Sequence, residues 1–263
     1  MSKYKQESLI HWNEFAETYH KLFALRRTGP FSSIEELLRI ADIKEGDYVV
    51  DIATGSGAVA REVIKVTKHV IGIDLARNML KLAKDSNLML LQMDAEHLGF
   101  KDDIFDLALC QFGFMLFPNH RKALYDIKRV LKDNGRFICS VHGSIDKVPY
   151  FRIISEAILK NKPDAFPKDR PNPTRFGDIS LLTRELRTCF DKIKIYRYNY
   201  YYRVGSFEEY WRDFLNSLTY SMKERLKNKL DNIKEDARRL TIEYIDNEGL
   251  EFPWEVIIAE ASK

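Results

Sequence analysis

The chain has 263 residues, 31% of them charged and 45% hydrophobic, with a formal net charge of +3. That length accommodates one sizeable α/β domain with an accessory element, and so slight a positive excess is not the basic field of a nucleic-acid binder. No run of about twenty apolar residues occurs, and Met1 to Glu7 lacks an apolar signal region, so a cytoplasmic chain that is neither secreted nor membrane-spanning is expected.

Ahead of the first strand, His11 to His20 reads as a helix, and Ser32-x-x-Glu35 has the capping-box pattern of a second helix start. Val49-Val50-Asp51-Ile52 is an apolar run that breaks into the small-residue turn Ala53-Thr54-Gly55-Ser56-Gly57. Val59, Ala60, Val63 and Ile64 then recur at helical spacing, and Val70-Ile71-Gly72-Ile73-Asp74 is a second strand closing on a carboxylate. Strand, glycine turn, helix, strand and acid make a nucleoside-binding half. Gly55 to Ala60 formally satisfies the dinucleotide fingerprint, but that pattern is permissive, and Asp51 at the strand tip would repel a pyrophosphate. An acid there suits a cation. S-adenosylmethionine supplies one, with Asp51 for its charged methionine end, Asp74 for the ribose hydroxyls and the glycines for close approach.

These residues resemble the class I S-adenosylmethionine-dependent methyltransferases, and the resemblance continues in chain order. Leu88 to Glu96 is a third strand ending in an acid, where the family uses a carboxylate to accept from the adenine amino group; Asp94 takes that place. Phe105 to Phe114 looks like the family's fourth strand, whose end passes under the cofactor. A helix from about Arg121 to Leu131 follows, and Asn134-Gly135 turns the chain into a strand from Arg136 to His142. Arg129-Val130-Leu131-Lys132-Asp133-Asn134-Gly135-Arg136 is similar to the corresponding run of the ubiquinone/menaquinone-biosynthesis-like (type 11) group. There are two departures: Ala53 replaces the first glycine of the usual motif, and Asp133-Asn134 replaces Pro-Gly.

The resemblance implies a Rossmann-like seven-stranded sandwich, mostly parallel with an antiparallel last strand, and S-adenosyl-L-methionine as cofactor. It implies cofactor contacts from Tyr19, Asp51, Ala53, Thr54, Gly55, Gly57, Asp74, Leu75, Met79, Asp94, Ala95, Gln111 and Phe112. Residues 1–45 form an N-terminal helical arm that folds over the cofactor, 46–145 the cofactor-binding core, and 146–205 a lid loop, a helix and a sixth strand. Residues 206–250 form a helical cap and 251–263 the last strand.

The lid is the stretch Asn161 to Gly177, with Pro163, Pro167, Pro171 and Pro173. A helix over Ile179 to Phe190 and a strand over Lys192 to Arg203 come next, and Trp254 to Ala261 is the final strand. The cap between them carries start signals at Ser206-x-x-Glu209 and Ser221-x-x-Glu224. Its stripe Leu226, Leu230, Ile233, Ala237 and Leu240 packs on the parent domain or, as the sharper alternative, on a second copy in a homodimer. The opposite face, with Lys223, Arg225, Lys227, Lys229 and Lys234 among acids, reads as solvated rather than RNA-binding. Cys110, Cys139 and Cys189 stand singly, as reduced core residues that imply no metal site.

Methyl transfer is an in-line displacement, so the protein chiefly aligns a nucleophile, excludes water and, where needed, removes a proton. His142, ending the fifth strand, is the best-placed base, against the blander reading of a strand-end histidine bonded to its neighbours; His20 and Tyr19 on the arm are the other candidates. His97 and His120 read as surface or capping residues. Tyr196, Tyr198, Tyr200 and Tyr202 share one strand face that either packs or edges a pocket, and Phe112, Phe114, Met115 and Phe117 follow the fourth strand. Together they suggest a small, apolar or aromatic acceptor, quinone-like, phenolic or polyketide-like. A nucleic-acid methyltransferase is opposed by Cys110-Gln111-Phe112-Gly113, where the exocyclic-amine enzymes carry Asn/Asp-Pro-Pro-aromatic. A nicotinamide-dependent oxidoreductase is opposed by Asp51 and Asp94, and a non-catalytic cofactor-binding partner stays open.

Overall fold

The computed structural model describes residues 3–25, 28–84, 87–167 and 170–263. Helix α1 (Lys3–Tyr19) widens into a π-helical turn, His20–Ala24, and a 3-10 turn, Gly29–Ser33, leads into α2 (Ile34–Ala41). The capping box expected at Ser32 does not form. Ser33, the residue before α2, is already helical (φ −60°, ψ −5°), so the hydroxyls turn back instead: Ser32 Oγ donates to the Gly29 carbonyl at 2.7 Å and Ser33 Oγ to Pro30 at 2.6 Å.

The core then alternates β1 (Val49–Ile52), α3 (Ala58–Val63), β2 (Val70–Asp74), α4 (Arg77–Ala83), β3 (Met89–Gln92), β4 (Phe105–Gln111), α5 (His120–Val130) and β5 (Leu131–His142). Next come α6 (Pro149–Asn161), α7 (Ile179–Leu186), β6 (Lys192–Val204), α8 (Phe207–Ser217), α9 (Tyr220–Leu226), α10 (Leu230–Leu240), β7 (Ile245–Asp246) and β8 (Gly249–Ser262). The main sheet runs β3-β2-β1-β4-β5-β8-β6. Its first five strands are parallel, β8 is antiparallel to both neighbours, and the two-residue β7 pairs with the start of β8. Strand order reverses between β1 and β4, which opens a crevice at their carboxyl ends. Both strands are sandwiched, so their apolar residues run nearly unbroken: Val49, Val50 and Ile52 in β1, and Leu107, Ala108 and Leu109 in β4, are all buried. The three cysteines are buried as well.

Helix α6, absent from the sequence reading, fills the space between lid and cap. Leu226, Ile233 and Ala237 of the cap stripe are fully buried, with α10 lying against α6, while Leu230 and Leu240 are partly buried against the same core. Ser206 caps α8 as expected, accepting from the Glu209 N–H at 3.2 Å. The second cap start lies earlier: Thr219 Oγ1 accepts from Met222 N at 3.3 Å, while Ser221 Oγ donates to Glu7 of α1 at 2.7 Å. The tyrosine face of β6 packs rather than edging a pocket. Tyr200 donates to Glu36 (2.8 Å), Tyr198 accepts from Arg39 (2.8 Å), Tyr196 donates to Glu260 (3.2 Å) and Tyr202 is buried.

The described parts of the proline-rich stretch expected to be a lid, 162–167 and 170–177, form no helix or strand beyond a 3-10 turn, Arg175–Gly177. Gly177 sits directly on the backbone that follows β5; a side chain there would overlap Gly143 and Ser144. Among the described residues, no helix is long and apolar enough to cross a membrane.

Candidate active site

β1 ends in a turn in which Ala53 (φ +54°) and Gly55 (φ +56°) are both left-handed, which brings the start of α3 back under the strand tip. A left-handed L-residue costs about 1–2 kcal/mol. Ala53 is accommodated because Gly113, after β4, leaves room: a Cβ on Gly113 would come within 2.7 Å of the Ala53 methyl. Asp51 is 1% exposed, and its Oδ2 accepts from Thr54 Oγ1 (2.5 Å) and Ala60 N (3.1 Å). Asp74 accepts from Gly55 N (2.9 Å) and Ala76 N (2.8 Å), which ties the glycine turn to the tip of β2. Burial, with the nearby Asp74 charge adding to it against the hydrogen bonds, pushes the Asp51 carboxyl up to about 7. Burial pushes Asp74 up to about 6. Two carboxylates so disfavoured as anions make a site that gains from a bound cation.

The cavity at Asp51 measures about 40 Å³ and is walled by Tyr19 of α1, Phe31, Ile34, the turn residues 53–56 and Gln111. Ligand pockets run to roughly 300–1,000 Å³, so the cavity is too small for a whole nucleoside with Tyr19 and Phe31, edge to face at 6.4 Å, where they stand. Gln111 Nε2 and Ser56 Oγ are buried without a hydrogen-bond partner among the described residues, as expected for groups whose partner is a ligand.

The match to the methyltransferase-domain family spans residues 50–139, from β1 into β5. Residues 50–139 thus carry a methyltransferase domain of the type 11 family. The chain is an enzyme of that class, and its cofactor is S-adenosylmethionine. The methyltransferase is similar to protein MJ1252 of Methanocaldococcus jannaschii, 29% identical over 202 residues that cover 74% of this chain and 78% of that one. It is also similar to the demethylmenaquinone methyltransferase of Corynebacterium kroppenstedtii, 33% identical over 150 residues, 54% of this chain and just under two thirds (65%) of the relative. The crystal structure of YcgJ from Bacillus subtilis has the same fold, with a TM-score of 0.63 at 20% identity over 88% of this chain and 98% of that one.

Of the cofactor residues expected for the methyltransferase, Tyr19, Asp51, Ala53, Thr54, Gly55 and Gln111 meet around the cavity. Gly57 (φ +84°) stands behind them against Ala83, and Leu75 lends its carbonyl to Gln92 Nε2 at 3.0 Å. Met79 is not in the cavity: it is buried under α1 with Ala16 and Ala76, and Ala95 is buried in the main core. Asp94 does not line the cavity either. Lys5, reaching from α1 and itself buried, lies 2.6 Å from one Asp94 oxygen and 2.7 Å from the other, and 2.8 Å from Glu96. Phe112 (φ +53°) does not line the cavity but stacks on His142 at 4.6 Å and meets Phe31 edge-on at 5.7 Å.

His142 is placed against the role expected of it. Its Nδ1 accepts from Trp254 Nε1 at 3.1 Å, so the ring proton sits on the other nitrogen and no lone pair is left for a substrate proton. Burial pushes the imidazole down to about 3, the ring is 6% exposed, and it does not line the cavity. Tyr19 is pushed up to about 12 by burial and then by the Asp74 charge, which keeps its phenol protonated. His20, next to it at the start of the π-helical turn, has a buried Nδ1 with no partner among the described residues. His97 is exposed beside Asp94, and His120 lies 3.0 Å from Glu185 while Asn119 caps α5. The sequence reading missed Phe31, Ile34 and Lys5. Ser56 was visible in the turn, but Phe31, Ile34 and Lys5 carry no motif and come to the site only by tertiary docking.

Proposed function

We propose that this methyltransferase acts on a small acceptor with an aromatic or apolar body and that it works mainly by positioning and water exclusion. The carrying observation is the buried Asp51 in a cavity walled by Tyr19 and Phe31, with Asp74 held just behind it on the Gly55 N–H at 2.9 Å. When bound, the cofactor supplies an electrophilic methyl on a sulfonium. Asp51 then ionises toward the cofactor's positive end, Asp74 accepts from the ribose hydroxyls, and the orphan Gln111 amide gains a partner. The arm keeps water away from the reacting atoms. If the acceptor must lose a proton, His20 is the imidazole on the arm with an unpartnered nitrogen. A small acceptor is supported by the demethylmenaquinone methyltransferase similarity and by the aromatic wall that Tyr19 and Phe31 give the cavity.

Calorimetric titration with S-adenosylhomocysteine and with NAD tests the cofactor; binding of NAD in preference would overturn the reading. Incubation with methyl-labelled S-adenosylmethionine and a metabolite extract, followed by mass analysis, should then put label in a small molecule. Label found only in nucleic acid or protein would refute the small-acceptor assignment.

A further inference from the structure

Cations that reach buried acids are paired with them. Lys5 holds Asp94 and Glu96, Arg136 lies 3.0 Å from Glu260, and Arg197 lies 2.5 Å from Glu255. The lid breaks this pattern. Arg170 and Arg175 are both drawn inward and half-buried, and neither forms an ion pair among the described residues. Among the described residues Arg175 donates from Nη2 to the Phe117 carbonyl at 2.8 Å, and its Nε is buried with no acceptor there. Arg170 rests its guanidinium 5.0 Å from the Phe166 ring, as Arg175 does 4.6 Å from Phe176. Glu185, the acid whose charge reaches Arg175, is already bound by Arg121 at 2.6 and 3.0 Å and by His120 at 3.0 Å.

These two arginines face α1. Both lie within electrostatic reach of the Tyr4 phenol, and Arg170 and Lys223 of α9 both act on His11. Burial, then Lys223, then Arg170 push His11 down to about 4; burial pushes Arg170 down and Arg175 down to about 10. The two half-buried arginines thus stand in a partly dry place beside the exposed Lys223, with no acid ion-paired to either among the described residues, which is costly unless an anion completes it. Guanidinium forks match carboxylate and phosphate oxygens. The cluster is also in line with the cofactor cavity. His11 stacks on Phe15 at 5.3 Å and Phe15 meets Tyr19 at 6.3 Å, so the rings run along one face of α1. Eight residues of helix separate His11 from Tyr19, about 12 Å.

We propose that Arg170 and Arg175, with His11 and Lys223, form an anion subsite that holds a carboxylate or phosphate of the methyl acceptor, whose reacting end reaches back along α1 toward Tyr19. This rests on the methyltransferase reading above and narrows its substrate to an acceptor with an anionic end.

The test titrates the protein, saturated with S-adenosylhomocysteine, with benzoate, phenyl phosphate and the neutral benzyl alcohol at constant ionic strength. One of the two anions should bind roughly tenfold or more tightly than benzyl alcohol, and which one does identifies carboxylate or phosphate. Arg170→Gln and Arg175→Gln should each remove most of that preference, Arg175→Lys should keep part of it, and S-adenosylhomocysteine affinity should stay within about twofold, which also shows the variants are folded. The subsite is overturned if the parent binds neither anion better than benzyl alcohol, or if the preference survives in the Arg170→Gln/Arg175→Gln double variant. Failure of the parent to bind S-adenosylhomocysteine would instead sink the methyltransferase reading itself.

Discussion

Asp51→Asn should stabilise the protein at alkaline pH while damaging its cofactor site. The carboxyl is buried and raised from its ordinary value of 3.8 to about 7. Between those two pH values the folded state keeps a proton that the unfolded chain has lost, so this group's destabilising effect is absent below about pH 4 and grows as pH rises to about 7. At 1.36 kcal/mol per decade, the full effect above pH 7 is on the order of 4 kcal/mol. Asparagine carries no charge, and its amide oxygen can accept from Thr54 and Ala60 as the carboxyl oxygen does. Urea unfolding at pH 5 and pH 8 should show the stability advantage of the variant widening by roughly 2–3 kcal/mol, because about 1.5 kcal/mol is already present at pH 5. In the parent, binding of S-adenosylmethionine should tighten with rising pH up to about 7, since its cation needs the ionised Asp51. A variant less stable than the parent at pH 8, or a stability difference that does not change with pH, would refute the account of this carboxyl.

Asp74→Ala should weaken S-adenosylhomocysteine binding by roughly ten- to a hundredfold in calorimetry, since a charged hydrogen-bond acceptor is worth about 1.5–3 kcal/mol; unchanged affinity would remove Asp74 from the site. Lys5→Ala should loosen α1 from Asp94 and Glu96, so amide exchange over residues 12–22 should quicken without ligand and slow again when S-adenosylhomocysteine is added. Identical exchange in parent and variant would show that Lys5 does not hold the arm. His142→Asn should keep turnover within roughly threefold of the parent, while a loss of a hundredfold or more would reinstate it as the base.

The sequence carried the fold where the chain is locally periodic. The apolar runs of β1, β2 and β4, the stripe of α5 and the long β6 could be read directly, because parallel strands buried on both faces must be apolar throughout. Helix α6 went unread although Ile153, Ile154, Ala157 and Ile158 have helical spacing; the prolines after it drew that region toward a loop. The turn half of the site was legible because Asp51, Gly55 and Asp74 are fixed by the strand–turn–helix geometry itself. Its other wall was not. The Lys5–Asp94 contact depends on how α1 docks on α4, where Asn78 donates from its backbone N–H and its side-chain amide to Asn13 at 2.9 and 3.0 Å, and Phe31 and Ile34 depend on how the turn before α2 packs on β6 and β8; no local pattern encodes either. His142 was correctly placed at a strand end, but the direction its ring nitrogen faces is set by Trp254, 112 positions away.

The seating of Gly177 on Gly143 and Ser144 clamps one end of the proline-rich stretch to the sheet. Arg175 stands two residues from that clamp and Arg170 seven, so the five residue steps between them are a ruler for the spacing of the two guanidinium groups. Lengthening that stretch by one residue would alter the spacing, and with it the size of anion both could hold, without touching the Asp51 cavity.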